Sequence, residues 1–232
     1  MHRIKIISAG PGGRDYLTFA ALRAIEDCEV VIGTRGQLDS AGLSGTGSIK
    51  AVEENRVEEI MKKIEKYEGS RLGVLVTGDA GIYSLCQKVS ERYGRDALES
   101  VIPGVSSLQV AFARVKEPWV NVRVFSFHGR PVTGIDDIIA AKRAAIMCDR
   151  ENGSRAILTI LAARSLFDNP GKASMNAPMD APTDVPIDVP LKVYVCQDLT
   201  MPEEKVIEIK TAGDIENIGA CKREIILILR GN

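Results

Sequence analysis

Histidine is nearly missing from this chain. Its 232 residues include only His2 and His128, too few for a metal centre built from several imidazoles. Cysteine is sparse and scattered. Cys28, Cys86, Cys148, Cys196 and Cys221 are odd in number and form no C-x-x-C pair, so neither a disulfide framework nor a zinc knuckle is supported. They read as small buried apolar residues in a reducing compartment. No apolar run approaches the roughly 20 residues needed to cross a bilayer. The opening MHRIKIISAG runs directly into a strand pattern and lacks the apolar core of a signal peptide. A bias of charge is also absent: 30 basic residues face 31 acidic ones, a net charge of -1. A dedicated nucleic-acid protein would carry a basic domain. The expectation is a soluble cytoplasmic protein with no bound metal, no nucleic-acid partner and no membrane anchor.

What is present is core-forming material, 45% apolar residues, enough for one large or two modest cores. The first half alternates strands and helices. Strands are expected at residues 4–8, 29–32, 72–76 and 99–102, and helices at 18–27, 83–93 and 106–114. Val57, Ile60, Met61 and Ile64 add one apolar helical face. Residues 33–49, rich in Gly, Ser and Thr, read as loop. Such alternation implies βαβ units and a mainly parallel sheet. The stretch Lys116-Glu117-Pro118-Trp119 breaks the rhythm, since Pro118 disfavours helix at Glu117. Beyond it, strands are expected at 122–127, 155–161, 191–196, 205–209 and 224–229, with one helix at 136–148. More strands than helices implies a mixed sheet. Two α/β domains, 1–117 and 118–232, are therefore expected. In 170–190 the pattern Asp-x-Pro recurs at Asp180, Asp184 and Asp188, which reads as an extended, inserted surface loop.

Four stretches could carry chemistry, each at the C-terminal end of an expected strand, where open parallel sheets bind ligands. Ser8-Ala9-Gly10-Pro11-Gly12-Gly13 allows close approach to backbone. It is neither the dinucleotide fingerprint, because Asp15 stands where the third glycine belongs, nor a Walker A loop, because no G-K-[ST] follows. In Thr77-Gly78-Asp79-Ala80-Gly81-Ile82-Tyr83, Asp79 could accept hydrogen bonds from a ribose or an amine, or could close an Asx-turn two residues on. In Pro103-Gly104-Val105-Ser106-Ser107, Ser106 is a candidate N-cap whose helix start could meet a carboxylate. A serine nucleophile would need His128 as base, and no G-x-S-x-G elbow exists. In Ser126-Phe127-His128-Gly129-Arg130, His128 and Arg130 could meet an anion or simply cap a domain junction.

Together, GPGGRDYLT at 10–18, VTGDAGIYS at 76–84 and PGVSSLQVAFARV at 103–115 resemble the tetrapyrrole (corrin/porphyrin) methyltransferases. That family has a G-P-G-x-x-x-x-L-T opening, a G-D-P-x-x-Y-like loop and a P-G-[IV]-S-S segment. PWVNVRVFSFHGR at 118–130 and CQDLTMPEEKV at 196–206 are similar to its precorrin-6Y/cobalt-precorrin-7 C5-methyltransferase branch. Ala80 stands where the family has proline, which is expected to loosen the loop while keeping Asp79. Residues 162–190 match poorly.

The resemblance implies a two-domain α/β homodimer that binds S-adenosylmethionine between the domains and releases S-adenosylhomocysteine. Cofactor contacts would come from Pro11, Gly12, Gly13, Asp79, Gly81, Ile82, Ser106, Ser107 and Thr159. Tyr83, His128 and Arg130 would meet a corrin precursor, the last two through its carboxylates. It identifies no catalytic acid or base. A separate protein would carry any C15 methylation and decarboxylation. The other readings are a different ring position, diphthine synthase chemistry on a protein, and, outside the family, a nucleotide-binding or non-catalytic dimeric module.

Overall fold

The computed structural model describes residues 3–44, 49–164, 166–167 and 190–231. The Asp-x-Pro segment lies outside them up to residue 189. Two compact units divide the chain, residues 1–110 and 111–232.

The first unit is built on five parallel strands, β1 (Arg3–Ser8), β2 (Val30–Gly33), β3 (Lys50–Glu53), β4 (Arg71–Val76) and β5 (Leu98–Ile102), in the order β3-β2-β4-β1-β5. The strands alternate with α1 (Phe19–Glu26), α2 (Arg35–Ser40), α3 (Val57–Glu65) and α4 (Leu85–Tyr93), and α5 (Ser107–Arg114) follows β5. Alternation within the strands divides the core in two. Ile4, Ile6, Leu72, Val74 and Val76 pack with Ile60, Met61 and Ile64 of α3 and Val89 of α4. Ile7, Val31 and Leu75 pack with Ala21, Ala24 and Ile25 of α1 and Leu38 of α2. Each fully buried Ile, Leu or Val contributes about 1.5–3 kcal/mol. Helices on both faces follow from the connections: β1 leads toward β2 on one side of the sheet, and β4 leads toward β5 on the other. Neighbouring strands with oppositely directed connections mark the edge where ligands bind in open α/β sheets.

The second unit has a mixed sheet, β6-β7-β10-β8-β9, from β6 (Arg123–Ser126), β7 (Arg143–Met147), β8 (Leu191–Gln197), β9 (Lys205–Ile209) and β10 (Glu224–Arg230). Only β6 and β7 are parallel. α6 (Ile135–Ala140) and α7 (Ser154–Ala163) supply Ile138, Ile157, Leu158 and Leu161 to a core with Ile146, Val193, Val195, Ile226 and Ile228.

The α/β architecture agrees with the sequence, but three local expectations fail and one strand, β3, was not foreseen. Residues 33–49 contain α2, opened by a Thr34–Gln37 capping box. Lys50–Glu53 pairs beside β2 as β3. The helix expected at 136–148 ends at Ala140, and Arg143–Met147 is a strand buried between β6 and β10. Its alanines, helix-favouring by propensity, are overridden by that position. Conversely 155–161 is helical in α7, burying Ile157, Leu158 and Leu161 and exposing Thr159. Among the described residues, no helix is long and apolar enough to cross a membrane.

Candidate functional site

Three loops leave the C-terminal ends of the neighbouring strands β4, β1 and β5, and they are bonded to one another. The chain leaves β1 through Ala9, whose N–H donates to the Val76 carbonyl (2.8 Å). The Gly78 N–H then donates to the Gly10 carbonyl (2.8 Å), an isolated antiparallel bridge between two glycines that both have φ +70°. A side chain at Gly10 would also meet the Tyr16 carbonyl oxygen at 2.8 Å. Ser8, fully buried, accepts a hydrogen bond from the Ala80 N–H (2.9 Å).

Asp79 closes the assembly. One carboxylate oxygen accepts from the Gly81 N–H (2.8 Å), forming the Asx-turn, and the other accepts from the Gly104 N–H in the β5 loop (2.8 Å). The Ile82 N–H bonds back to the Asp79 carbonyl (3.3 Å). Gly104 packs so closely that a Cβ there would lie 2.4 Å from the Ser8 Cβ. At the start of α5, the buried Ser106 oxygen accepts from the Leu108 N–H (3.2 Å), while its own N–H donates to the Gln109 side chain (2.8 Å). That is the expected N-cap, with Ser107 beside it in the first turn. Pro11 is buried; Gly12 and Gly13 are half-buried. Tyr83 is 49% exposed and adopts φ +46°, uncommon for a non-glycine residue.

Ala80 does not loosen this loop. Its N–H is a donor that proline would lack, and Ser8 receives it. Sequence reasoning also missed α2, whose Ser40 hydroxyl donates to the Gly12 carbonyl and whose Gln37 amide donates to the Thr77 hydroxyl (2.9 Å). The T-x-x-Q pattern at 34–37 was the available signal; Ser8 carried none.

The second unit brings His128 and Arg130 together in one exposed turn after β6, with Gly129 between them at φ +64°. The loop after the parallel neighbour β7 fixes it. Asp149 accepts from the N–H groups of Gly129 (2.6 Å), Glu151 (2.9 Å) and Asn152 (2.6 Å). The Asn152 amide donates to the Phe127 and Arg130 carbonyls (3.0 and 3.1 Å). Burial would raise the Asp149 carboxyl, but these N–H bonds outweigh it and hold it below the ordinary carboxylate value, with His128 adding a smaller attraction. Behind them the buried Glu224 accepts from the Ser154 N–H (2.7 Å), the Ser154 hydroxyl (3.0 Å) and the Gln197 amide (2.7 Å). Thr159 is separate, on the exposed side of α7, with its hydroxyl donating to the Arg155 carbonyl (2.8 Å). Asp149 and Asn152 went unnoticed because 136–148 read as one helix, which hid a strand ending just before them.

Residues 8–13, 77–84 and 103–107 contain no lysine, arginine or histidine, and both oxygens of their one carboxylate are bonded internally. Hydroxyls and backbone amides without a cation suit a nucleoside bearing a positive sulfonium better than a polyphosphate, which phosphate loops hold with lysine. A family model of tetrapyrrole (corrin/porphyrin) methylases matches residues 3–216. The chain belongs to that family.

Tetrapyrrole methylases transfer a methyl group from S-adenosylmethionine, and the loop chemistry above fits that donor. Among relatives of this chain, a probable cobalt-precorrin-7 C(5)-methyltransferase of Methanocaldococcus jannaschii is 28% identical over 132 residues. The match covers 55% of this chain and 61% of the relative. Other relatives that match are named for C(17) and C(11) methylation. Among solved structures, a precorrin-6Y methylase of cobalamin biosynthesis from Archaeoglobus fulgidus shares the fold with a TM-score of 0.68 and 21% identity, covering 99% of this chain and 98% of that one. A uroporphyrin-III C-methyltransferase from Thermus thermophilus, complexed with S-adenosylhomocysteine, gives a TM-score of 0.68 at 13% identity, covering 98% and 97%.

Proposed function

We propose that this methylase is an S-adenosylmethionine-dependent C-methyltransferase of cobalamin biosynthesis, acting on C5 of cobalt-precorrin-7 or of its metal-free precorrin-6 equivalent. The observation that carries the reading is the interlocked loop assembly at β4, β1 and β5, with no cation in residues 8–13, 77–84 or 103–107, in a chain of this family. The C5 position rests on the Ser126–Arg130 turn and on the names of the relatives from M. jannaschii and A. fulgidus.

The donor supplies a methyl group already activated on a sulfonium sulfur. The protein's part is alignment and exclusion of water, which in favourable cases lowers a barrier by about 7–11 kcal/mol. Pro11, Gly12 and Gly13 offer backbone to the donor. Asp79 holds Gly81 and Ile82 in their turn, Ser106 and Ser107 present the start of α5, and Thr159 is a further cofactor contact from the second unit. Tyr83, His128 and Arg130 meet the acceptor, the last two through charge-assisted hydrogen bonds to its carboxylates. We also assign it a homodimer and a cytoplasmic setting, to be checked by sedimentation and by cell fractionation.

Incubation with labelled S-adenosylmethionine and a panel of precorrin intermediates, followed by location of the label, tests the reading. Label at C5 supports it, and label at another ring carbon moves the protein to another member of the pathway. Calorimetry separates the non-methyltransferase alternative: tight S-adenosylhomocysteine binding with none to ATP is expected, and the reverse would point to a nucleotide-binding module.

A further inference from the structure

The His128-Gly129-Arg130 turn is closed by the Arg130 N–H, which donates to the Phe127 carbonyl (3.3 Å). All three residues are exposed, and a Cβ built on Gly129 would meet nothing within 4 Å. A left-handed glycine flanked by two long polar side chains has many alternative conformations in water. Beyond that one bond, the loop after β7 restricts it further. Asn152 bridges the carbonyls at the two ends of the turn, Phe127 and Arg130, while Asp149 takes the N–H at its middle, Gly129. The clamp is anchored in its turn: Gly153 lies against Glu224, and Glu224 holds Ser154 and Gln197. Ser154, two residues along the chain from Asn152, is thus tied to β10 through Glu224, which anchors the loop that holds the exposed turn.

We propose that Asp149 and Asn152 are positioning residues that fix the 128–130 turn and thereby set affinity for the methyl acceptor. The inference rests on the reading that His128 and Arg130 meet the acceptor. Loss of the clamp should raise acceptor KM, leave kcat within a factor of about two, and leave S-adenosylhomocysteine affinity unchanged.

The test uses the full chain with Asn152→Ala, Asn152→Ser, Arg130→Ala and the Asn152→Ala/Arg130→Ala double variant. With cobalt-precorrin-7 as acceptor, Asn152→Ala is expected to raise KM about tenfold, the worth of one or two hydrogen bonds. The double variant should lose less than the product of the two single effects, because part of the clamp's action passes through Arg130 and the rest through His128. If Arg130→Ala leaves KM unchanged, the acceptor reading falls and the proposal with it. If Arg130→Ala raises KM and Asn152→Ala and Asn152→Ser do not, only the clamp is overturned. A parallel loss of S-adenosylhomocysteine affinity would mark a general structural role and overturn it as well.

A readout independent of the acceptor comes from NMR of the imidazoles, since His2 is the only other histidine. His128 should give one defined environment in the parent and an averaged one in Asn152→Ala and Asn152→Ser, with core amide signals unmoved. Unchanged His128 signals would sink the clamp whatever the acceptor proves to be.

Discussion

At the edge of the first sheet, the groups that the sequence offers to a ligand are bonded to one another: Asp79 to Gly81 and Gly104, Ser8 to Ala80, Ser106 to its own helix. At the edge of the second sheet, the offered side chains His128 and Arg130 stand exposed, and the fixing groups Asp149 and Asn152 sit behind them. The first edge offers a ligand backbone groups and hydroxyls held in a rigid frame. The second offers polar and charged groups on exposed side chains. A donor that never varies suits the former; an acceptor carrying several carboxylates suits the latter.

The sharpest way to break the contrast is Gly104→Ala. Its new Cβ would collide with Ser8, beside a carbonyl of Gly78 at 3.1 Å. Overpacking of this kind costs about 1–3 kcal/mol, and urea unfolding should register it together with at least a tenfold loss of S-adenosylhomocysteine affinity. Unchanged affinity would mean that rigidity of this edge is not what binds the donor. Asp79→Ala comes next, at about 2 kcal/mol for two charged hydrogen bonds lost in a half-buried site. The instructive point is that the loss should appear without ligand, since the carboxylate acts as a brace. Ala80→Pro should cost about 1 kcal/mol through the lost bond to Ser8, and adding Ser8→Ala should recover part of it. Asp149 gives the smallest effect. Its folded carboxyl lies below the unfolded value of 3.8, so its contribution is complete above that value and is lost as pH falls through the lower folded one. Asp149→Asn should therefore flatten the acid end of a stability curve and leave neutral pH behaviour of the donor site alone.

The strands β1, β4, β5, β8, β9 and β10 were legible because they are short apolar runs bounded by turn residues, and α3 because its apolar face repeats at helical spacing. Two of the failures share a cause. Arg143–Met147 and Ser154–Ala163 exchange identities because alanine in a doubly buried strand and isoleucine in a helix both run against propensity, and tertiary position decides. Residue types at strand ends pointed to loops that the structure bonds to one another. The bonds among them were illegible, because Ser8 and Ala80, or Asp79 and Gly104, are partners only after β1, β4 and β5 have paired.

The bond from Ala80 to Ser8 has an evolutionary corollary. A hydroxyl at position 8 is useful only while residue 80 keeps an N–H to give it, and an N–H at 80 is harmless in that buried spot only while something at 8 accepts it. Where a relative carries proline at 80, the constraint lifts from both ends, and any residue small enough to lie against Gly104 serves at 8. The two positions, 72 residues apart, are expected to drift through the family as a pair.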